Sequence, residues 1–528
     1  MNYFKKTINT VVSNIFSQDL PNRSNAFEKQ KKLLSRLIAS YNNSPLYQIV
    51  WLKQEEFKEI SMMNSLQIKE LISVHCLCDY KNHIVPLLSE KKGLSSLRYD
   101  LCIKTSWTSD ANKWGKLIPA QWSSFDNEII WIKRTISSYI QENPLSNLLY
   151  RSYFSLTAPF DLSQNIWYVS GSIKKYSGFF SNIIAYPFGD WLLLHNWQLK
   201  KKFIVDQLLT KQPKLWSIHG VPTRPLEIID EMIYNDRQLA KKVFSDLEYV
   251  SIGWWPPLHY KQDFQNRLLE LWLSQRIAWS NNHNASEGFL WSQIRNFFDL
   301  DFHRMSPLAD TNFFLFVPVS LSNSYNNSSI SFVDLVFQSH LLHEVEYGME
   351  YLMMIANDRI PWLYNIKDRV LFQHNDGLPY YETPLEYIVT GRYGMSSNLF
   401  NEHIEVEHLE YAIKNLLLEW YHIDQYNFLA GMELSDNNWI FHIVVESAEV
   451  FDISIFTTKL DSYLSIINDQ RRFFRERWKI SNISIVIFPL WYVRKRLIDL
   501  GKMHEQAKIP HLSDDNYIHI IKPFLSIP

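Results

Sequence analysis

Apolar residues recur at helical spacing in the first part of the chain. The segments FEKQKKLLSRLIASY and SLQIKELISVHCL place apolar residues three and four positions apart. This period predicts amphipathic helices between about residues 25 and 90. Residues 125–149 are predicted to be helical as well. The helices between about residues 25 and 90 are expected to form a packing layer before the first segment that carries chemistry.

The middle of the chain alternates between short apolar runs and helical patterns. The segments LWSIHGVPTRPLEIIDEMI and DLEYVSIGWWPPLHYKQDFQNRLLELW each indicate a strand, a turn and a helix, and NWQLKKKFIVDQLLT indicates a helix before them. This alternation is typical of an α/β domain, in which ligands bind at the carboxyl ends of the strands. Residues 251–254 and 283–289 are expected at such ends. His219 lies in the first turn and is interpreted as a hydrogen-bonded structural histidine.

The pattern becomes more compact after residue 390. A helix from near Glu405 is followed by a strand pair (NFLAGMEL and WIFHIVVES), a helix around LDSYLSIINDQRRFFRERW, a strand ISIVIFP and a helix from Tyr492. The chain is therefore predicted to be an α/β protein. Residues 1–390 would form a large N-terminal domain of β-sheets and flanking helices, 391–400 a hinge, and 401–528 a small mobile α+β domain.

The charge and cysteine content of the chain indicate which classes of partner and which cellular compartment to expect. The chain has 53 basic and 55 acidic residues and a formal net charge of -2, so it has no electrostatic footprint for nucleic acid or an anionic membrane. Cys76, Cys78 and Cys102 are too few for a disulfide framework and lack a second metal-ligand pair, which favours buried structural cysteines. Neither a signal peptide nor a membrane span is indicated. We therefore expect a cytoplasmic protein.

Three segments carry residues that suit nucleotide chemistry. In TSWTSDANKWGKLIP, small and hydroxylic residues followed by lysines can direct backbone amides and positive charge toward phosphate, although a plain surface turn has the same composition. In HNASEGF, Glu287 is a candidate magnesium ligand. In WLYNIKD, Asp368 is predicted at a strand junction, where its carboxylate could accept two hydrogen bonds from a ribose, or could be a surface acid beside Lys367 and Arg369.

The order of these segments resembles one family. The chain is similar, from about residue 27 to about residue 512, to the auxin-responsive (Gretchen Hagen) acyl acid-amido synthetases, a branch of the adenylate-forming enzymes. The matching motifs are the phosphate loop SGTTxGxxKxIP at 105–119, the strand-end glycine at Gly253, YNASEG at 283–288, VExGxxYxLVI at 345–351, YRxGD at 364–368, the Gly-Arg hinge at 391–392, and GQxKxP at 505–510.

The resemblance implies an activity and a set of roles. Such an enzyme adenylates a carboxylic acid with ATP and Mg²⁺ and then passes the acyl group to the amine of an amino acid or a similar amine. Glu287 would hold the metal, Arg392 would orient ribose or phosphate, and Lys508 would neutralise charge at the α-phosphate. The implied nucleotide contacts are Thr105, Ser106, Thr108, Ser109, Lys116, Gly253, Ser286, Tyr364 and Asp368.

The departures from the family concentrate in the nucleotide segments. Trp107, Trp254 and Lys367 stand where the family has glycine, His283 replaces a tyrosine, and Asn365 stands at a frequent arginine. Two alternatives therefore stay open beside the amide ligase. One is a binding protein that keeps the fold without the chemistry, since fold alone does not fix function. The other is an adenylating ligase whose acyl acceptor is a thiol. The acid, the amine and the oligomeric state are not indicated.

Overall fold

The computed structural model describes well over half of the chain, and all structural statements concern that part. The described residues are 2–16, 21–41, 60–74, 101–104, 117–147, 152–156, 166–167, 171–172, 185–187, 194, 196–220, 223–253, 258–273, 276–285, 287–300, 304–321, 330–360, 363–374, 382–392, 396–397, 404–418, 421, 423–424, 427–435, 438–467, 482–500 and 518–525.

The described elements are twelve α-helices and twenty strands. The helices are α1 (Asn2–Phe16), α2 (Arg23–Tyr41), α3 (Ser65–Val74), α4 (Asp126–Glu142), α5 (Trp197–Lys211), α6 (Thr223–Phe244), α7 (Leu258–Glu270), α8 (Phe332–Gln338), α9 (Val406–Leu418), α10 (Ile453–Ile467), α11 (Tyr492–Asp499) and α12 (Ile518–Leu525). The strands are β1 (Leu101–Lys104), β2 (Leu117–Ala120), β3 (Ser152–Ser155), β4 (Ile166–Trp167), β5 (Ala185–Tyr186), β6 (Leu215–Gly220), β7 (Tyr249–Gly253), β8 (Ala278–Ala285), β9 (Gly288–Ser292), β10 (Ser306–Pro307), β11 (Phe313–Pro318), β12 (His340–Leu341), β13 (Glu350–Ala356), β14 (Tyr364–Phe372), β15 (Tyr387–Arg392), β16 (Ser396–Ser397), β17 (Ile404–Glu405), β18 (Leu429–Ser435), β19 (Asn438–Glu446) and β20 (Asn482–Phe488).

The chain divides into two compact units. The first contains the described residues of 1–105 and 117–390, and the second contains those of 391–528. The hinge at 391–400 and the mobility of a small domain stay predictions. Within the described residues, no helix is long and apolar enough to cross a membrane.

A seven-stranded sheet forms the centre of the first unit. Its strand order is β10-β9-β8-β7-β6-β3-β5. Strands β5, β3, β6, β7 and β8 run parallel, while β9 and β10 are antiparallel to their neighbours. Helix α6 connects β6 to β7 and α7 connects β7 to β8, so the alternation read from the sequence corresponds to β-α-β crossovers. The predicted α/β fold class is confirmed.

Local sequence signals account for where the helices begin and end. The side chain of Asn196 accepts a hydrogen bond from the backbone amide of Leu199 at 2.9 Å and caps the start of α5. Gln212 ends the same helix in the left-handed conformation, with φ of 45°. The helix predicted over residues 125–149 is shorter than expected, because α4 ends at Glu142, just before Asn143 and Pro144.

A second, five-stranded sheet carries the aromatic core of the first unit. Its order is β12-β11-β13-β14-β15. Its core residues are fully or nearly fully buried and include Trp291 from β9, Phe314, Phe316, Tyr351, Phe372 and Tyr387. Since Trp291 belongs to the seven-stranded sheet, this core joins the two sheets. Burial of such large rings removes much apolar surface from water and stabilises this junction.

A three-stranded sheet, ordered β2-β1-β4, lies in the same unit. Cys102 is buried on β1, and burial raises the pKa of its thiol to about 11. This agrees with the structural role predicted for it, because a thiol with a raised pKa is a poor nucleophile and metal ligand. Cys76 and Cys78 lie outside the described residues.

The second unit is built around a three-stranded sheet, β18-β19-β20, with β19 antiparallel to β18 and parallel to β20. Alternate residues of β19 contribute to two different cores. Phe441, Ile443 and Val445 pack with α9 and α10, whereas Val444 packs with α11 and α12. The sheet is therefore covered by helices on both faces, and the α+β pattern read from the sequence is found here.

Candidate active site

Glu287 lies in the two-residue connection between β8 and β9. The strands pair up to this connection, with Ala285 opposite Gly288. The stretch 283–289 was expected at the end of a strand, and His283, Asn284 and Ala285 complete β8 while Gly288 begins β9. The Glu287 side chain is partly exposed, and Ser286 lies outside the described residues.

Two buried asparagines, Asn312 and Asn357, form hydrogen bonds to the backbone of this hairpin, and we call this pair the asparagine clamp. The side chain of Asn357 donates to the backbone oxygen of Glu287 at 3.0 Å and to Oδ1 of Asn312 at 2.9 Å. Asn312 in turn donates to the backbone oxygen of Phe289 at 2.7 Å. Because the clamp is buried, its hydrogen bonds fix the backbone that carries Glu287.

Gly288 is needed where the clamp meets the hairpin. A Cβ atom at this position would lie 2.7 Å from Nδ2 of Asn357 and 3.4 Å from Oδ1 of Asn312. Contacts of 2.7 Å are far inside van der Waals separation, so a side chain would displace the clamp.

Glu287 also lines a shallow pocket. The pocket is lined by Ser124, Glu287, Gly288, Phe289, Asn312, Asn357 and Arg359. Arg359 is buried, donates from Nε to the Ser124 hydroxyl at 3.1 Å, and lies 4.3 Å from the centre of the Phe125 ring. All residues that line this shallow pocket are buried except Glu287, so the Glu287 carboxylate is the charged group that it presents to a ligand.

Sequence reasoning did not single out Ser124, Asn312, Asn357 or Arg359. A usable signal exists for three of them. Asn312 directly precedes the apolar run of β11, while Asn357 and Arg359 follow the apolar run of β13. Polar residues at strand ends lie where α/β and mixed sheets bind ligands.

Asp368 is paired with a histidine from the hairpin. Its Oδ2 lies 2.7 Å from Nε2 of His283, and Nδ1 of His283 lies 2.7 Å from the Tyr387 hydroxyl. His283 is 3% exposed, Asp368 retains 16% of its side-chain surface, and Tyr387 is fully buried. Burial, and then the charge of Asp368, raise the pKa of Tyr387 well above its ordinary value.

Irregular pairing directs Asp368 and His283 toward each other. Leu352 of β13 pairs with Arg369 of β14, whereas Met354 pairs with Asn365, so the register shifts within residues 366–368, which include Asp368. A register shift also follows His283 on β8. Bulges re-aim side chains near functional sites. Asp368 was expected at a junction between strands, whereas it lies within the single strand β14.

Lys367 keeps a backbone conformation that suits glycine. Its φ is 67°, and its amide donates to Oδ1 of Asn365 at 2.8 Å. Left-handed backbone is uncommon for a residue with a Cβ atom and costs about 1–2 kcal/mol. At this position, where the family motif has glycine, the lysine adopts a backbone conformation that glycine favours, at an energetic cost.

The carboxyl ends of β3 and β6 lie side by side. Ser155 pairs with His219, and the rings of Tyr153 and His219 pack edge to face with 5.7 Å between their centres. Ser217 hydrogen-bonds Nε2 of His219 at 2.8 Å, as expected for a structural histidine. Burial lowers the pKa of His219 to about 4 and raises that of Tyr153 to about 12, so both are neutral at pH 7.

The remaining predicted site residues have fewer described features. Gly253 ends β7 opposite Asn282, and Arg392 ends β15. Tyr364 begins β14 and packs against the aromatic core. Thr105, Ser106, Thr108, Ser109, Lys116, Ser286 and Lys508 lie outside the described residues.

Within the described residues, no three His, Cys, Asp or Glu side chains are grouped to hold a metal ion. Mg²⁺ in nucleotide sites is commonly bound by one or two carboxylates together with phosphate oxygens and water. The partly exposed Glu287 carboxylate is a hard ligand of that kind, whereas the side-chain oxygens of Ser124, Asn312 and Asn357 beside it are buried and occupied by hydrogen bonds within the protein. The donor set therefore fits magnesium bound together with a nucleotide.

No family model matches the chain, and no curated protein matches it in sequence. Solved structures do match. The GH3.15 acyl acid amido synthetase is 11% identical, with a TM-score of 0.67 over 94% of this chain and 93% of that one. The AtGH3.15 acyl acid amido synthetase in complex with 2,4-DB is 12% identical, with a TM-score of 0.65 over 94% of each chain. The likeness spans both units, and the chain therefore has the fold of the acyl acid amido synthetases.

Proposed function

We propose that the protein is an ATP-dependent ligase that adenylates a carboxylic acid and transfers the acyl group to an amine, such as that of an amino acid. The observation that carries the proposal is the position of Glu287. It lies, partly exposed, in a clamped hairpin, and Asp368 contacts the same hairpin through His283. In a fold of this kind, that arrangement supports a nucleotide site.

A carboxylate lacks a good leaving group, and the first step of the reaction supplies AMP in that role. The carboxylate attacks the α-phosphate of ATP, releasing pyrophosphate and forming an acyl-adenylate, and the amine then displaces AMP. In this proposal Asp368 accepts hydrogen bonds from the ribose, Arg392 orients ribose or phosphate, and Lys508 neutralises charge on the α-phosphate. Glu287 would hold Mg²⁺, which reduces the repulsion between the phosphates and the incoming carboxylate.

Hydroxamate formation tests the reaction. Full-length protein is incubated with ATP, Mg²⁺, hydroxylamine and a panel of carboxylic acids that includes 2,4-DB. We expect ATP-dependent hydroxamate with at least one acid. Absence of hydroxamate together with absence of an ATP-dependent thermal shift would favour the non-catalytic binding protein. Product with thiols but never with amino acids would favour the thiol ligase.

Two substitutions test the assigned roles. Glu287→Gln should remove the magnesium dependence of nucleotide binding, because the amide lacks the charge that attracts the metal. Glu382→Gln, at an exposed acid of the same unit, is the matched control and should titrate like the wild type. Lys508→Ala should abolish acid-dependent pyrophosphate exchange while ATP binding weakens modestly. Full exchange in that variant would remove Lys508 from the mechanism.

A further inference from the structure

Tyr387, His283 and Asp368 form a continuous hydrogen-bonded chain, which we call the Tyr–His–Asp relay. We propose that His283 is a positioning residue for the nucleotide, because it holds the Asp368 carboxylate in the orientation that accepts the ribose hydroxyls. The inference rests on the proposed nucleotide site. It assigns a role to the residue that departs from the tyrosine of the family motif.

The proton positions in the relay follow from its chemistry. An ionised carboxylate only accepts hydrogen bonds, so the 2.7 Å contact with Asp368 requires a proton on Nε2 of His283. The Tyr387 hydroxyl keeps its proton, because burial and the nearby Asp368 charge raise its pKa well above the ordinary value. In the neutral tautomer that carries its proton on Nε2, Nδ1 is an acceptor and the hydroxyl donates to it at 2.7 Å. One neutral tautomer of His283 satisfies both neighbours.

Packing prevents the relay from relaxing. His283 is 3% exposed and lies on β8 opposite Trp291, while the fully buried Tyr387 packs its ring against Trp291. The imidazole therefore cannot swing away from Asp368 without opening the aromatic core.

Asp368 combines this fixed contact with access to solvent. Its side chain keeps 16% exposure, whereas both of its relay partners are buried. A carboxylate has about four lone-pair positions, so a hydrogen bond from His283 is compatible with further ones from ligand hydroxyls. A carboxylate side chain held by a buried donor loses less rotamer freedom when it binds, which favours affinity.

The test compares two nucleotides that differ only in the ribose hydroxyls. ATP and 2′,3′-dideoxy-ATP are titrated calorimetrically into the full-length wild type, His283→Leu and His283→Gln. A hydrogen bond from a neutral hydroxyl to a charged acceptor distinguishes ligands by about tenfold or more. We expect a wild-type dissociation-constant ratio of at least about ten, falling to about one in His283→Leu because the carboxylate is no longer oriented. His283→Gln keeps a donor and should recover most of the ratio.

Controls separate positioning from general damage. His340→Leu, at a partly buried histidine on β12, should keep the wild-type ratio. Tyr387→Phe keeps the ring and removes the donor, so the ratio should fall by about threefold while the fold is retained. Loss of stability alone would weaken both nucleotides equally and leave the ratio unchanged.

Each outcome decides for or against the relay. An unchanged ratio in His283→Leu, no recovery in His283→Gln, or a wild-type ratio of about one would overturn the inference. Hydroxamate formation together with any of these results would leave the proposed ligase standing. Conversely, the expected ratios without hydroxamate would support the relay in a protein that binds nucleotide and does not adenylate acids.

Discussion

The second unit contains a buried acid whose titration should govern its stability. Glu446 ends β19 and is fully buried. Its carboxylate accepts hydrogen bonds from the backbone amides of Trp491, at 2.7 Å, and Val493. Trp491 precedes α11 in the left-handed conformation, with φ of 73°, and provides no side-chain cap. Glu446 therefore caps α11 from a neighbouring strand.

The magnitude follows from the pKa. Burial raises the pKa of Glu446 from 4.5 to about 7, and the charge of Asp424 adds to this rise. Hydrogen bonds from the backbone amides of Trp491 and Val493, and the charge of Arg494, oppose it. Because the folded-state pKa is higher than the unfolded one, the folded unit retains a proton that the unfolded chain has released. The stabilisation that this proton provides is therefore fully present below about pH 4.5, and it is lost as the pH rises through about 7. The loss corresponds to about 3 kcal/mol.

Hydrogen exchange of the full-length protein measures this effect locally. After correction for intrinsic rates, the opening free energy of amides in α11 should fall by about 2.5 kcal/mol between pH 5 and pH 8 in the wild type. Glu446→Gln removes the titration and should remove most of this dependence, although loss of one cap hydrogen bond costs about 1 kcal/mol at every pH.

Glu449→Gln is the matched control, because Glu449 is an exposed acid of the same unit. It should keep the wild-type pH dependence. The reasoning is refuted if Glu446→Gln loses as much protection between pH 5 and pH 8 as the wild type does, since another group would then carry the linkage.

Two further substitutions test the backbone around the candidate site. Gly288→Ala should destabilise the first unit by about 2–4 kcal/mol in urea unfolding, because the new Cβ displaces Asn357 from Asn312 and from the hairpin; a change below about 0.5 kcal/mol would show that the clamp is not rigid. Lys367→Gly should raise stability by about 0.5 kcal/mol, since relief of the left-handed backbone exceeds the added chain entropy. Lys367→Ala should leave stability near the wild type, and an equal gain from alanine would contradict this explanation.

The fold was predictable because its signals are local. Helix α5 has its capping residue, Asn196, directly before it, and β6 and β7 are short apolar runs next to turn residues. Where a helix was predicted too long, at α4, the correcting signal was local as well, because Pro144 follows its end.

The candidate site was only partly predictable because its contacts are distant in sequence. Motif order indicated Glu287 and Asp368 separately. Their partners come from elsewhere: His283 lies 85 residues from Asp368 and 104 residues from Tyr387, and Asn357 lies 70 residues from Glu287. The periodicity of a single sequence does not indicate which distant positions are in contact. Hydrogen bonds between separate sheets can therefore be identified only in the folded structure.

The two outermost strands of the seven-stranded sheet affect how the protein behaves at high concentration. As described, its outermost strands are two residues long: Ala185–Tyr186 is followed by Pro187, and Ser306–Pro307 contains a proline. Proline offers no amide hydrogen, so each end of the sheet, as far as it is described, has a position that cannot donate to an incoming strand from another molecule. The apolar central strands β6 and β7 are thereby less exposed to templated fibril growth, a protection that lies in the border of the sheet rather than in its surface charge.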